Sequence, residues 1–402
     1  MSEYQPASRV TRIKESASVA AAARVRELKA QGRSIIDLTV GEPDFDTPDH
    51  IKRAAIQAIE AGETKYTSVT GTPELQAAIL GHVEKRTGFR YVPQQLTIGG
   101  GAKQVIFTAL MASLDEGDEV IIPAPYWVSY PDMVLANDGT PVIVPCGEDT
   151  GFKLTPEALQ AAITPATKWL ILNAPSNPTG AVYAPAELDG LGAVLARHPQ
   201  VYVLTDEIYD EIYFGEGRIS SLAAAAPMLR DRILMVNGVS KAYAMTGWRL
   251  GYGVGPADII ASINKLQSQI SSCPSSISQA AAAAALAGDQ SFVRESVEVY
   301  RARRDAVVAG LNAVAGLSCR SPEGAFYAYV NCTGVVGKTT PSGARIDDDQ
   351  DFVLYLLDAA SVAVIPGSAY GLGPYFRISF ATSLETINAG VEAIDKAVRA
   401  LN

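Results

Sequence analysis

Histidine is scarce in this chain. His50, His82 and His198 are its only three in 402 residues, scattered and outside every motif described below. That argues against a histidine-based catalytic triad and against a zinc centre, so no metal is expected. Cysteine is nearly as rare. Cys146, Cys273, Cys319 and Cys332 form no CxxC pair, and the opening MSEYQPASRV has no apolar leader. A reduced, cytoplasmic setting is therefore expected. No apolar run reaches membrane-spanning length, and the alanine-rich 280–287 stretch is far too short. Basic stretches are missing too. With a net charge of −10, the chain has little with which to neutralise nucleic-acid phosphates.

What is present is apolar: 48% of residues are hydrophobic and 19% charged, enough for a substantial core. A chain this long exceeds one small core and divides into a large and a smaller unit. The middle alternates β-branched runs with helical spacing. LTIGG, EVIIPAPYW, TKWLILN, VYVLTD and ILMVNG read as strands, and AKQVIFTALMASL as a helix. Continuous apolar strands separated by helices predict an α/β fold with a mostly parallel central sheet, whose ligands gather at the carboxyl ends of the strands. The ends of the chain differ. Residues 14–31 read as one helix, SIIDLTVGEPDF as a strand and turn, and 290–314 as a long amphipathic helix. GAFYAYVNC, VAVIPGS and YFRISFAT read as strands of a second, smaller sheet, and 333–351 as a surface loop. The expected division is 1–50 as part of a small α+β domain, 51–295 as the large domain and 296–402 completing the small one.

Six stretches carry candidate chemistry. GGGAKQ, a glycine run between strand and helix, either cradles a phosphate on backbone N–H groups or is a plain tight turn. Asp206 ends a buried strand and Tyr209 follows. A carboxylate there needs a cationic partner, unless it merely caps the next segment. Asn177-Pro178 makes a rigid turn at the end of another strand. Trp127 stands just after a strand, as a stacking surface or as core. Arg377 projects from an alternating strand, placed either for bidentate carboxylate binding or for solvent. Lys241 is flanked by apolar residues in SKAYAMTGWRLGYG, and neither it nor Arg249 has a carboxylate in its own stretch. Desolvation lowers a lysine's pKa and makes it a nucleophile able to form a Schiff base. One ligand that is planar, phosphorylated, cationic at a ring atom and reactive toward amines answers all six. Pyridoxal 5′-phosphate meets each condition.

These stretches, with GEPDFDTP, KYT…PEL, APYWVSYPDM and DEIY, run in an order and spacing that resemble the class I aminotransferases of pyridoxal-phosphate fold type I. The likeness covers essentially the whole chain and is greatest to the bacterial Ib aspartate aminotransferases, some of which also use prephenate. The resemblance implies that Lys241 holds the cofactor covalently and then shuttles a proton. Asp206 would pair with the ring nitrogen, Tyr209 and Asn177 with the phenolic oxygen, and Trp127 would stack on the ring. Gly101, Ala102, Ser240 and Arg249 would hold the phosphate. Tyr66 would reach the neighbouring subunit's phosphate, implying a homodimer with shared sites. Arg377, helped by Gly41, would clamp the substrate α-carboxylate. Lys103 and Ser18 would meet a distal carboxylate, and Lys14 matches a lysine linked to prephenate use. The implied reaction is ping-pong transfer between aspartate and 2-oxoglutarate through pyridoxamine phosphate, with prephenate or aromatic donors as the alternative. A regulatory protein built on this fold would need a DNA-binding segment; the stretch ahead of GEPDF is expected to be too short for one, and the chain as a whole is acidic.

Overall fold

Apolar runs in the middle of the chain become strands covered on both faces. The structure, a computed structural model, describes residues 4–402; the side chain of Ser18 lies outside the described residues. In chain order the strands are β1 (Ile36–Asp37), β2 (Leu96–Gly99), β3 (Glu119–Ala124), β4 (Thr140–Pro145), β5 (Thr167–Asn173), β6 (Tyr202–Asp206) and β7 (Ile233–Gly238). They continue with β8 (Gly251–Val254), β9 (Ser318–Cys319), β10 (Tyr327–Asn331), β11 (Val362–Ala363), β12 (Ile365–Pro366) and β13 (Tyr375–Ser379). The central sheet runs β2-β8-β7-β6-β5-β3-β4, with β8 antiparallel to both neighbours and the other pairs parallel. Residues two apart on β5 share a face. Leu170 and Leu172 pack into one layer, while Trp169 and Ile171 pack into the layer on the opposite face. Helices close both layers. Pro73–Thr87 starts at the Thr72 cap, whose Oγ1 accepts from the Leu75 amide, and stops at Gly88 at φ 75°.

A four-stranded antiparallel sheet, β12-β13-β10-β9, packs beside the central one. Phe326, Ala328, Phe376 and Ile378 meet Val307 and Leu311 of helix Ser291–Asn312 and Ile387 and Ile394 of helix Leu384–Arg399. Burying each such aliphatic side chain stabilises the fold by roughly 1.5–3 kcal/mol. The N-terminal segment joins this region through β1, which pairs with β11 in parallel.

Three expectations need correction. VAVIPGS is not one strand: β11 belongs with β1, and β12 with the four-stranded sheet. The predicted helix 14–31 begins only at Ala17, so Lys14 precedes it in irregular chain. Nor is 333–351 all surface. Thr339 and Arg345 form a β-bridge that folds the segment back, burying Ile346 in the small core.

Candidate active site

The register of the central sheet brings the chemistry to one edge. Asn173 pairs with Asp206, Asp206 with Val236, Gly238 with Gly251, and Gly251 with Gly99. Asn173, Asp206, Gly238 and Gly99 are the carboxyl ends of their strands. Gly251 is the amino end of the one reversed strand, so Arg249 arrives from the opposite direction at the same edge. The connection after β7 adopts left-handed backbone at Ala244 (φ 51°) and Arg249 (φ 54°), a strained arrangement held from outside. The GEPDFDTP stretch supplies the restraints. Lys241 donates to the Gly41 carbonyl, Thr246 to Glu42, and Thr47 to the Ala244 carbonyl.

A cavity of about 550 Å³ opens over this edge. Lys241, Asp206, Tyr209, Asn177, Trp127 and Arg377 all line it. So do Gly41, Ala102, Lys103, Ser240 and Arg249. Gly101 shapes the wall through its backbone. It sits at φ 97° ahead of helix Ala102–Met111, and a Cβ there would stand 2.5 Å from Arg249 Nη2. The Ala102 and Lys103 amides have no acceptor among the described residues. With the arginine beside them they form an anion cradle at a helix start.

Two expected residues do not line this cavity, and the side chain of a third is outside the described residues. Tyr66 is 90% exposed and stands away from the cavity. Lys14 is exposed, also away from the cavity, and its backbone N–H donates to Asp132. Ser18 lies in helix Ala17–Ala30, and its side chain is outside the described residues. Ser16, Val19, Ala22 and Arg26 of that N-terminal region line the outer wall.

The electrostatics suit a ligand with several charges. Burial presses the Lys241 ammonium down to about 8; Arg377 and Arg249 deepen the fall and Glu42 opposes it. Asp206 is 4% exposed, and burial pushes its carboxyl up to about 6. Tyr130 donates to it at 2.6 Å, and no ion pair holds it among the described residues. Burial and the neighbouring Arg249 lower Lys103, whose Nζ lies 4.7 Å from the Trp127 ring centre. Arg377 is 2% exposed, so it is neither solvent-facing nor on an edge strand. It donates to Asn177 Oδ1 at 3.0 Å and to the Thr39 carbonyl at 2.7 Å, with its Nε buried and without a hydrogen-bond partner. The residues therefore fit a phosphorylated, planar, ring-cationic group. The cradle would take its phosphate, Asp206 its cationic ring atom and Lys241 a carbonyl carbon.

Sequence reasoning missed several contributors. Tyr130 lies inside APYWVSYPDM, and the only signal for it was that a buried Asp206 needs a donor. Tyr327 pairs its hydroxyl with that of Tyr209 at 2.9 Å. Asn173 donates to the Asp206 carbonyl at 2.8 Å and accepts from the Asn177 amide.

The sequence pattern of the family described as "Aminotransferase class I and II" matches residues 33–394. The aspartate aminotransferase of Rhizobium meliloti is 53% identical over 391 residues, covering 97% of this chain and 95% of that protein. The aspartate/prephenate aminotransferase of Cereibacter sphaeroides is 53% identical over 378 residues, 94% of each. A crystal structure of the aspartate aminotransferase from Rhizobium meliloti superposes with a TM-score of 0.97 at 52% identity over 100% of both chains.

Proposed function

We propose that this chain, which belongs to the class I and II aminotransferase family, exchanges the amino group between L-aspartate and 2-oxoglutarate with pyridoxal 5′-phosphate as its cofactor. The chain is a transaminase, and its substrates are amino acids and 2-oxo acids. One observation carries the finer reading: Lys241, its ammonium pressed down to about 8, faces the same cavity as Asp206 and Arg377.

The bound cofactor supplies an electron-withdrawing ring that takes up the electrons left when a proton departs from the substrate Cα. Around it, Lys241 would hold the carbonyl carbon, and its Nζ, when free, would carry that proton. Asp206 keeps the ring nitrogen protonated, and Tyr130 keeps Asp206 ionised. Trp127 stacks on the ring. Gly101, Ala102, Ser240 and Arg249 hold the phosphate. Asn177 Oδ1 already accepts from Arg377, which leaves its NH₂ to donate to the phenolic oxygen beside Tyr209. Arg377, with Gly41, takes the α-carboxylate, and Lys103 the distal one, with Ser18 beside it. The donor leaves as its 2-oxo acid before the acceptor enters.

The two chain ends, 1–50 and 296–402, work as one small domain against 51–295. The protein acts in the cytoplasm as a homodimer. Exposed Ile56 and Ile59 on helix Asp49–Glu60, with Tyr66 close behind in the chain, support a self-association face from which Tyr66 reaches the partner's phosphate. A second reading adds prephenate as a substrate. The small side chains of Ser16 and Ala22 on the outer wall leave room for a bulkier acid, and one relative carries that name.

A panel of donors and acceptors, prephenate included, tests both readings by kcat/KM. Aspartate and glutamate should lead, and Lys103→Ala should hurt them more than aromatic donors. An equal loss for all donors removes Lys103 from specificity, and a leading aromatic donor overturns the assignment.

A further inference from the structure

The Tyr209–Tyr327 hydroxyl pair joins the two sheets of the molecule. Tyr209 follows β6 of the central sheet, and Tyr327 opens β10 of the smaller one. Their oxygens are 2.9 Å apart, both side chains are buried, and the rings meet edge to face. The geometry leaves open which hydroxyl donates. Proton counting closes that question, given the reading above in which Tyr209 donates to the phenolic oxygen of the cofactor. A hydroxyl has one proton and two lone pairs. If Tyr209 spends its proton on the phenolic oxygen, the pair must run from Tyr327 to Tyr209.

We propose that Tyr327 is a positioning residue: it donates to Tyr209, polarises that hydroxyl, and so strengthens the bond Tyr209 makes to the cofactor's phenolic oxygen. A hydroxyl that accepts a hydrogen bond becomes a better donor, because the two bonds polarise each other. The Tyr327 ring is fixed for the task. The Arg377 guanidinium lies 4.3 Å from its centre, and its hydroxyl stands 3.5 Å from where a Gly41 Cβ would be. Gly41 and Arg377 are the groups assigned to the substrate carboxylate. Tyr327 thus connects the carboxylate-binding side of the cavity, on the small sheet, to the group that tunes the proton held at Lys241. A strong donor at the phenolic oxygen draws charge away from it and lowers the affinity of the Lys241 nitrogen for its proton. Weakening that donor raises the affinity.

The test is a pH titration of the visible absorbance of the purified, cofactor-loaded protein, in four forms: unaltered, Tyr327→Phe, Tyr209→Phe and both together. Tyr327→Phe removes one oxygen and keeps the ring against Arg377, so the fold and the donor KM should hold. Its midpoint should move upward by less than about 1 pH unit, the size of one hydrogen bond's worth. Tyr209→Phe should move it further the same way, and the double variant should match Tyr209→Phe alone, because Tyr327 acts only through Tyr209. An unmoved or lowered midpoint in Tyr327→Phe, with Tyr209→Phe still raised, overturns the proposal and leaves the role of Tyr209 standing. A lowered midpoint would mean that Tyr209 donates to Tyr327 instead. No shift in Tyr209→Phe removes the reading on which the proposal rests, and the proposal with it. Half-saturation of the cofactor-free protein with pyridoxal 5′-phosphate gives a second readout. It should rise less than about tenfold in Tyr327→Phe.

Discussion

Asp206 and Asp210 are four residues apart, equally enclosed, and opposite in electrostatic character. Asp206 faces the cavity, and burial raises its carboxyl to about 6. Asp210 points behind the same segment, toward helix Pro73–Thr87. Burial works to raise it as well, but Arg86, His82 and Asn237 together hold it below the usual carboxylate range. Arg86 pairs with Asp210 and, at 2.9 Å, with Glu207; Asn237 donates to Asp210 at 2.8 Å. His82 lies 3.7 Å from the same carboxylate. The back of the DEIYD segment is therefore neutralised by the protein's own cation. The front is held only by neutral donors and left for a ligand to complete. Buried charge satisfied internally holds the fold, and buried charge left unsatisfied marks the site.

The largest test of this contrast is at the front. Lys241→Ala should lower kcat by at least about 10³-fold, since it removes both the nucleophile and the proton carrier. Its stability in the cofactor-free form should not fall, because the lysine's burial is unfavourable to its charge. Stopped-flow rates and a denaturant titration measure the two effects. Retained turnover would sink the cofactor assignment.

The matching experiment at the back is Arg86→Met, which strands two carboxylates without their cation. A buried pair broken on one side costs about 3–5 kcal/mol. The urea midpoint should drop accordingly, while the KM for aspartate in the remaining folded protein stays near its starting value. A variant that keeps its midpoint but loses substrate affinity would reverse the assignment of front and back.

Asp206→Asn tests the front by pH. The folded carboxyl titrates near 6, above its unfolded value of about 3.9. Between those values the folded protein holds the proton more tightly than the unfolded chain does. The ionised carboxylate therefore destabilises the cofactor-free protein by about 3 kcal/mol above pH 6, and the penalty is lifted as pH falls toward 4. Cofactor-free Asp206→Asn should melt higher than the parent at pH 7.5 and equally at pH 4, while its loaded form turns over far more slowly. A melting gap that does not change with pH would refute this account.

The same contrast explains what was legible in the sequence. Front residues were readable because each breaks a local rule. Lys241 and Arg249 lack a local carboxylate, Asp206 ends an apolar strand, and glycines crowd the start of Ala102–Met111. The parallel sheet was readable from strand runs apolar at successive positions on both faces, as in Trp169 to Leu172. The back network was not. His82 and Arg86 look like ordinary polar positions of an amphipathic helix, and only the folded chain sets them against Glu207 and Asp210. Tyr130 and Tyr327 were hidden for a related reason: a tyrosine in an apolar run reads as core, and both are core apart from one oxygen. The β11–β12 break escaped because five apolar residues in a row carry no mark of which sheet each belongs to.

The smallest effect should come from that kind of oxygen. Tyr130→Phe deletes the 2.6 Å donor to Asp206 and keeps the ring, which meets Trp127 edge to face. A hydrogen bond to a carboxylate favours its charged form, so its loss should raise the Asp206 pKa further. Asp206 would then be a weaker partner for a cationic ring atom at any pH where it is partly protonated. Pyridoxal 5′-phosphate should bind the cofactor-free variant less tightly, by up to about tenfold, the scale of one charge-assisted hydrogen bond. The loss should be greater at pH 6 than at pH 8, where Asp206 is ionised in parent and variant alike. Fluorescence titration at the two values separates this from a packing defect, which would weaken binding equally at both.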